Sequence, residues 1–185
     1  MDAHVILGID PGTQLLGFGI IRAVGKRSEY LDMGVLDLRK EKDAYTKLKA
    51  IYDCISEVCK SYHPDIIAVE SPFYGKNAQV VLKLGRAQGA AILAAQEYGV
   101  TEVAEYAPRK AKEVITGNGA ASKEQVKLIL EKTLGVSLDA DHLDATDALA
   151  IALCHHFQMT SPLAGVSGKG GWEKFIAENP GRIRK

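Results

Sequence analysis

The sequence predicts an α/β fold: a five-stranded mixed β-sheet, built from a three-strand antiparallel meander plus two parallel strands, flanked by helices. Three observations lead there. Apolar runs rich in β-branched residues open the chain and recur further along it. Turn residues separate the first three runs with no room for a helix, whereas the fourth and fifth each follow a helical stretch. Strands joined by short turns pair antiparallel, and strands reached through a helix can lie parallel.

Residues 4–11 (HVILGIDP) form a buried-strand run that stops at Pro11-Gly12. Residues 16–24 and 29–38 supply the second and third strands. From Ala44 to Tyr62 the positions Leu48, Ile51, Tyr52, Ile55, Val58, Cys59 and Tyr62 recur at helical spacing, and Pro64 ends that helix. Residues 65–70 (DIIAVE) are the fourth strand, broken by Ser71-Pro72. Residues 77–98 read as a long helix in which Gly85 and Gly89 sit four apart among alanines. Each helical glycine costs roughly 1 kcal/mol relative to alanine, so a packing constraint is expected there, either against a second subunit or against the sheet. Residues 102–106 form a fifth strand. Pro108 opens a helix that Gly117-Asn118-Gly119 ends, Ser122 and Gln125 form a capping box for a helix over 123–134, and a last helix runs from about Asp141 to Phe157.

The chain of 185 residues suits one domain, expected over residues 1–160. Residues 161–171 have the Gly/Ser/Pro composition of a linker, and a tail follows to residue 185. In that tail Trp172, Phe175 and Ile176 have helical spacing ahead of Arg182, Arg184 and Lys185. With 23 basic and 23 acidic residues the net charge is zero, so bulk charge gives nucleic-acid binding no support and local distribution must carry it. Between residues 106 and 127, Arg109, Lys110, Lys112, Lys123 and Lys127 outnumber two glutamates, a surface that could contact phosphate. No apolar run reaches the roughly 18–20 residues of a membrane span, and no signal segment opens the chain, which makes the cytoplasm the expected compartment. Cys54, Cys59 and Cys154 lack the spacing of metal or redox pairs and read as buried thiols.

The chemistry lies in carboxylates at the ends of apolar elements. Asp10 and Glu70 each close a buried-strand run, where α/β folds place ligand sites. Asp10 before Pro-Gly could equally be a turn former, but Glu70 has no such reason to be there. Asp144 and Asp147 are three apart and so share a helix face. Asp147 is followed at once by Ala-Leu-Ala-Ile-Ala-Leu, where the helix becomes apolar. Asp139 and Asp141 fit the start of that helix as capping and dipole-favoured acids. Asp10, Glu70, Asp144 and Asp147 together would make a set of hard oxygen ligands suited to Mg²⁺ or Mn²⁺. Two such ions roughly 4 Å apart can drive in-line phosphodiester hydrolysis.

The runs Gly8-Ile-Asp10-Pro-Gly12-Thr13 with Gly17-Phe-Gly19, Val69-Glu70-Ser-Pro-Phe73, Leu84-Gly85-Arg86-Ala-Gln-Gly89 and Asp144-Ala-Thr-Asp147-Ala-Leu-Ala-Ile-Ala, in this order, closely resemble the RuvC family of Holliday junction resolvases. The resemblance spans residues 4–157. It implies a ribonuclease H-like fold, a homodimer, and Mg²⁺-dependent symmetric nicking of two strands of a four-way DNA junction, with two ions per subunit and Mn²⁺ able to substitute. By match to the family's acidic tetrad, Asp10, Glu70, Asp144 and Asp147 would be catalytic and hold the metals. Asp141 or His142 would replace Asp144 if the helix phase slipped. The resemblance also places Phe73, Lys76 and Asn77 on a loop beside the scissile phosphate, and an exposed aromatic there can stack on an unpaired base for roughly 1–3 kcal/mol. It singles out Lys112 and Lys123 as DNA-facing cations near the active site. A branch-migration helicase complex of RuvA and RuvB is implied as a partner.

Two other readings have their own signatures. A nucleotide-binding phosphotransferase of the actin-like kind would need a second Asp-x-Gly loop, which the rest of the chain lacks. A junction-binding protein without catalysis would show loss of a metal ligand, and none of the four acids is missing.

Overall fold

The computed structural model describes residues 3–72, 77–138 and 143–161. Strands β1 (Ala3–Asp10), β2 (Leu15–Val24) and β3 (Arg27–Asp37) form the antiparallel meander. Helix α1 (Ala44–Tyr62) leads to β4 (Ile66–Glu70), and α2 (Ala78–Glu97) leads to β5 (Glu102–Tyr106). Helices α3 (Pro108–Thr116), α4 (Lys123–Leu134) and α5 (Leu143–Thr160) complete the chain. The sheet order is β3-β2-β1-β4-β5, with β4 parallel to both β1 and β5. The mixed five-stranded sheet is the one expected, and β1, at its centre, is the strand from which the sheet grows in both directions.

Local chemistry explains the boundaries. Asp43 accepts the Tyr45 and Thr46 amides at 2.7 and 3.0 Å and starts α1, while His63 ends it in the left-handed conformation ahead of Pro64. The expected capping box of α4 is present, with Ser122 Oγ accepting the Gln125 amide at 3.3 Å and Gln125 Oε1 accepting the Ser122 amide at 2.9 Å. Helix α5 continues three residues past the expected Phe157, and the Thr160 hydroxyl donates back to the His156 carbonyl at 3.0 Å. Cys59 and Cys154 are buried as expected, whereas Cys54 is only half-buried, because it sits at the margin of the α1 stripe.

Strand alternation sorts two cores onto the two sheet faces. Leu7, Ile9, Leu16, Ile20, Ile67 and Val69 face α1 and α2, where Ile51, Ile55, Ala91 and Ala95 cover them. Ile6, Ile21, Ile66 and Ala68 face the other way, under Leu149, Leu153 and the α3–α4 residues Ala111 and Leu130. Full burial of each such Leu or Ile contributes about 1.5–3 kcal/mol. Helix α5 lies directly on β1 and β2, because Gly8 and Gly19 present no side chain to it. A Cβ at Gly8 would come 2.1 Å from the Ala148 carbonyl oxygen, and one at Gly19 would come 2.6 Å from the Leu149 Cα. No helix among the described residues is long and apolar enough to cross a membrane.

Candidate metal centre

Parity within the sheet brings the first two carboxylates together. Gly8 pairs with Ala68 and Ile9 with Val69 across the parallel β1–β4 ladder, so Asp10 and Glu70 end neighbouring strands at the same sheet edge. Each is an even number of residues beyond Ile6 or Ile66, which pack on the α5 face, so both side chains fall on that face. Asp144 and Asp147 reach the same place from one turn of α5. Gly17 allows it: a Cβ there would lie 2.0 Å from the Asp144 carbonyl oxygen. Side-chain oxygens of Asp10, Asp144 and Asp147 all lie within 4.8 Å of one another.

These three acids and Glu70 line one cleft of about 310 Å³ together with Lys112 of α3 and Lys123 of α4. Pro108, Ala111, Val126, Ala150 and Ile151 form its apolar walls. Burial, reinforced by Asp147 and Asp144, pushes Asp10 up to about 7, against the pull of Lys123. Burial, then Asp10 and Asp147, push Glu70 up to about 8, against Lys123 and Lys112. Lys123 Nζ donates to Asp147 Oδ2 at 2.5 Å. Burial alone would lower the Lys123 ammonium, but that bond and the charges of Asp147, Asp144 and Asp10 hold it above its ordinary value. The cleft therefore concentrates more negative charge than its two lysines neutralise.

The donor chemistry fits a hard divalent cation. Every ligand candidate is a carboxylate oxygen, the donor preferred by Mg²⁺, Mn²⁺ and Ca²⁺. A cation entering the cleft would relieve the repulsion that raises Asp10 and Glu70. Among the described residues this is the one cluster of three or more metal-ligating groups.

Six of the nine site residues expected from the sequence meet in this cleft: Asp10, Glu70, Asp144, Asp147, Lys112 and Lys123. Phe73 and Lys76 lie outside the described residues, as do Asp141 and His142. Asn77 is exposed and caps α2, its Oδ1 accepting the Gln79 and Val80 amides at 3.1 and 3.3 Å, so its amide nitrogen is the part left to meet DNA. Of the other expected basic residues, Lys110 pairs with Glu113 at 3.3 Å and Lys127 with Glu131 at 3.9 Å, which directs them along their own helices. The apolar walls went unread in the sequence, since Val126 and Ile151 carry no mark distinguishing a cleft wall from ordinary core. A Cβ at Gly85 or Gly89 would meet nothing within 4 Å, which rules out packing against the sheet as the reason for these glycines.

Residues 6–155 match the family described as Crossover junction endodeoxyribonuclease RuvC. The chain is 48% identical over 182 residues to the protein of that name from Bacteroides fragilis, covering 97% of this chain and 96% of the relative. It is also 48% identical over 181 residues to the one from Christiangramia forsetii, covering 98% of this chain and 93% of the relative. The fold is similar to Thermus thermophilus RuvC, with a TM-score of 0.72 and 35% identity over 83% of this chain and 93% of that one. It is equally similar to T. thermophilus RuvC in complex with Holliday junction substrate, with a TM-score of 0.73 and 32% identity over the same shares.

Proposed function

The chain belongs to the RuvC family of crossover junction endodeoxyribonucleases, and from that premise we propose that its acidic cleft is the catalytic centre of a Holliday junction resolvase acting in DNA recombination and repair. The observation that carries this reading is the convergence of Asp10, Asp144 and Asp147 within 4.8 Å, with Glu70 in the same cleft, on a ribonuclease H-like sheet. Asp10, Glu70, Asp144 and Asp147 would hold the metal, two Mg²⁺ ions per subunit, with Mn²⁺ able to substitute. Held by these residues, the ions would supply an activated water and charge stabilisation for the leaving oxygen of the scissile phosphate. Asp10 and Glu70 must be ionised to bind them, and the apolar walls of Ala111, Val126 and Ile151 strengthen the attraction between those carboxylates and a cation. Lys123 orients Asp147 through their hydrogen bond, and together with Lys112 it offers positive charge to the phosphate as charge develops there.

Symmetric cutting requires two such centres, and α2 supports a homodimer. Leu82 and Leu93 are 56% and 64% exposed and share an outward helix face with Gly85 and Gly89, where a second copy can approach closely. Phe73, Lys76 and Asn77, which follow Glu70 in the sequence, are proposed as the DNA contacts next to the cleft, Phe73 and Lys76 on the family resemblance alone. The family match ends at residue 155 and α5 at Thr160, which supports one catalytic domain over 1–160 with an appended segment over 161–185. Partnership with the branch-migration helicase of RuvA and RuvB, and residence in the cytoplasm with the chromosome, rest on family membership.

The test is cleavage of end-labelled four-way junctions beside a duplex of matched sequence. Paired symmetric nicks on the junction alone, abolished by chelator and in Asp10→Asn, are the expected result. Metal-independent cutting, or equal cutting of the duplex, would refute the reading.

A further inference from the structure

A further cleft at this end of the sheet lies on the opposite face from the acids. It encloses about 390 Å³ between the β1–β2 turn, the approach to α1 and the middle of α2. Lys42, Lys47, Lys83 and Arg86 line it, from three separate elements, against Glu41 and Asp43. Asp43 is occupied in capping α1 through the Tyr45 and Thr46 amides. Among the described residues none of the four cations forms an ion pair. Lys47 instead donates to the Thr13 carbonyl at 3.0 Å, and Leu38 donates its amide to the Gln14 carbonyl at 2.8 Å. Cations elsewhere on this surface do pair with acids, as in Arg22–Glu29 and Lys60–Glu57. Convergent cations without partners around a cleft are kept apart at an electrostatic cost that an anion would offset.

The turn Gly12-Thr13-Gln14 lines this cleft and begins two residues after Asp10, which lines the acidic one. A DNA strand with a phosphate at Asp10 brings further phosphates past this turn, because duplex DNA carries about one charge per 1.7 Å of axis. We propose that the cleft of Lys42, Lys47, Lys83 and Arg86 is a phosphate-binding subsite for the backbone of the junction arm that leaves the catalytic centre over the Gly12–Gln14 turn. This rests on the resolvase reading and extends it to a contact surface across the sheet from the chemistry. Lys42 and Lys83 make the phosphate contacts, and Lys47 holds the turn over which the strand passes. The contact is sequence-independent, so it contributes affinity and placement of the arm.

Full-length protein in chelator, titrated with a fluorescent four-way junction over a range of salt concentrations, tests this through Lys42→Ala/Lys83→Ala. Both residues are away from the acids, so the single-turnover cleavage rate at saturating protein stays within twofold of wild type. The slope of log affinity against log salt falls by about two and binding weakens about tenfold or more at moderate salt. The charge reversal Lys42→Glu/Lys83→Glu weakens it further. Acylation footprinting of the wild type then shows both lysines protected by junction and left reactive by inorganic phosphate at the same phosphate concentration. Unchanged slope and Kd in both double variants would overturn the subsite, as would protection by free phosphate alone. Wild-type protein that fails to cut the junction with Mg²⁺ would instead mark failure of the resolvase reading, so the two failures are distinguishable.

Discussion

Gly17 and Asp144 are in backbone contact: a Cβ on the glycine would stand 2.0 Å from the aspartate's carbonyl oxygen. The absence of a side chain on β2 thus sets how far the first acid of α5 descends toward Asp10. Gly17→Ala is expected to lift the start of α5, costing about 1–3 kcal/mol of stability by overpacking. It should lower cleavage about a hundredfold, since ångström-scale misplacement of catalytic groups has effects of that order. Thermal melts and single-turnover cleavage check this, and a fully active variant would show that α5 placement is not limiting.

The glycines of α2 should behave in the opposite way. Because a Cβ at Gly85 meets nothing within 4 Å, Gly85→Leu is expected to leave the fold of each subunit intact while separating the proposed dimer. Sedimentation equilibrium reads the dissociation. Paired nicks on the junction should become unpaired in the same variant.

Charge in the acidic cleft predicts an unusual pH dependence. Asp10 is raised from 3.8 to about 7 and Glu70 from 4.5 to about 8, so between those limits the folded protein binds more protons than the unfolded chain. Stability of the metal-free protein therefore falls as pH rises from about 4 to about 8, the reverse of the usual carboxylate behaviour. Mg²⁺ at pH 8 should restore it by binding the ionised acids. Asp10→Asn and Glu70→Gln should each melt several degrees above wild type in chelator at pH 8 and respond little to Mg²⁺. Calorimetric melts across pH, with and without metal, measure all three effects.

Lys123 is expected to act on the rate more than on binding. Its bond to Asp147 and its place in the cleft set it beside the proposed metal ligands, so Lys123→Met should reduce single-turnover cleavage by about 100- to 1000-fold. Junction affinity should change less than about threefold, as one cation among many phosphate contacts. An equal loss in affinity and rate would make it a binding residue only.

Much of this was legible in the sequence because the determinants are local. Period-two and period-3.6 patterns, Pro11, Pro64 and Pro108, and the Ser122–Gln125 box fix where elements begin and end. The convergence of Asp10 and Glu70 could be anticipated because each closes a strand. What was not legible depends on pairing across distance. The placement of β1 between β2 and β4 is a property of the assembled sheet. The role of Gly17 and Gly19 was visible only as a motif, since a close approach has no local signature until α5 lies on β2. Lys112 and Lys123 were singled out by the family resemblance, whereas the turning of Lys110 and Lys127 away from the cleft depends on helix phase and on nearby glutamates.

Anomalous diffraction from crystals soaked in Mn²⁺ tests whether these four carboxylates hold the metal that cuts DNA. Peaks are expected within coordination distance of Asp10, Asp144, Asp147 and Glu70 in the wild type, diminished in Asp10→Asn in parallel with cleavage. Peaks located elsewhere, or undiminished in an inactive Asp10→Asn, would contradict it.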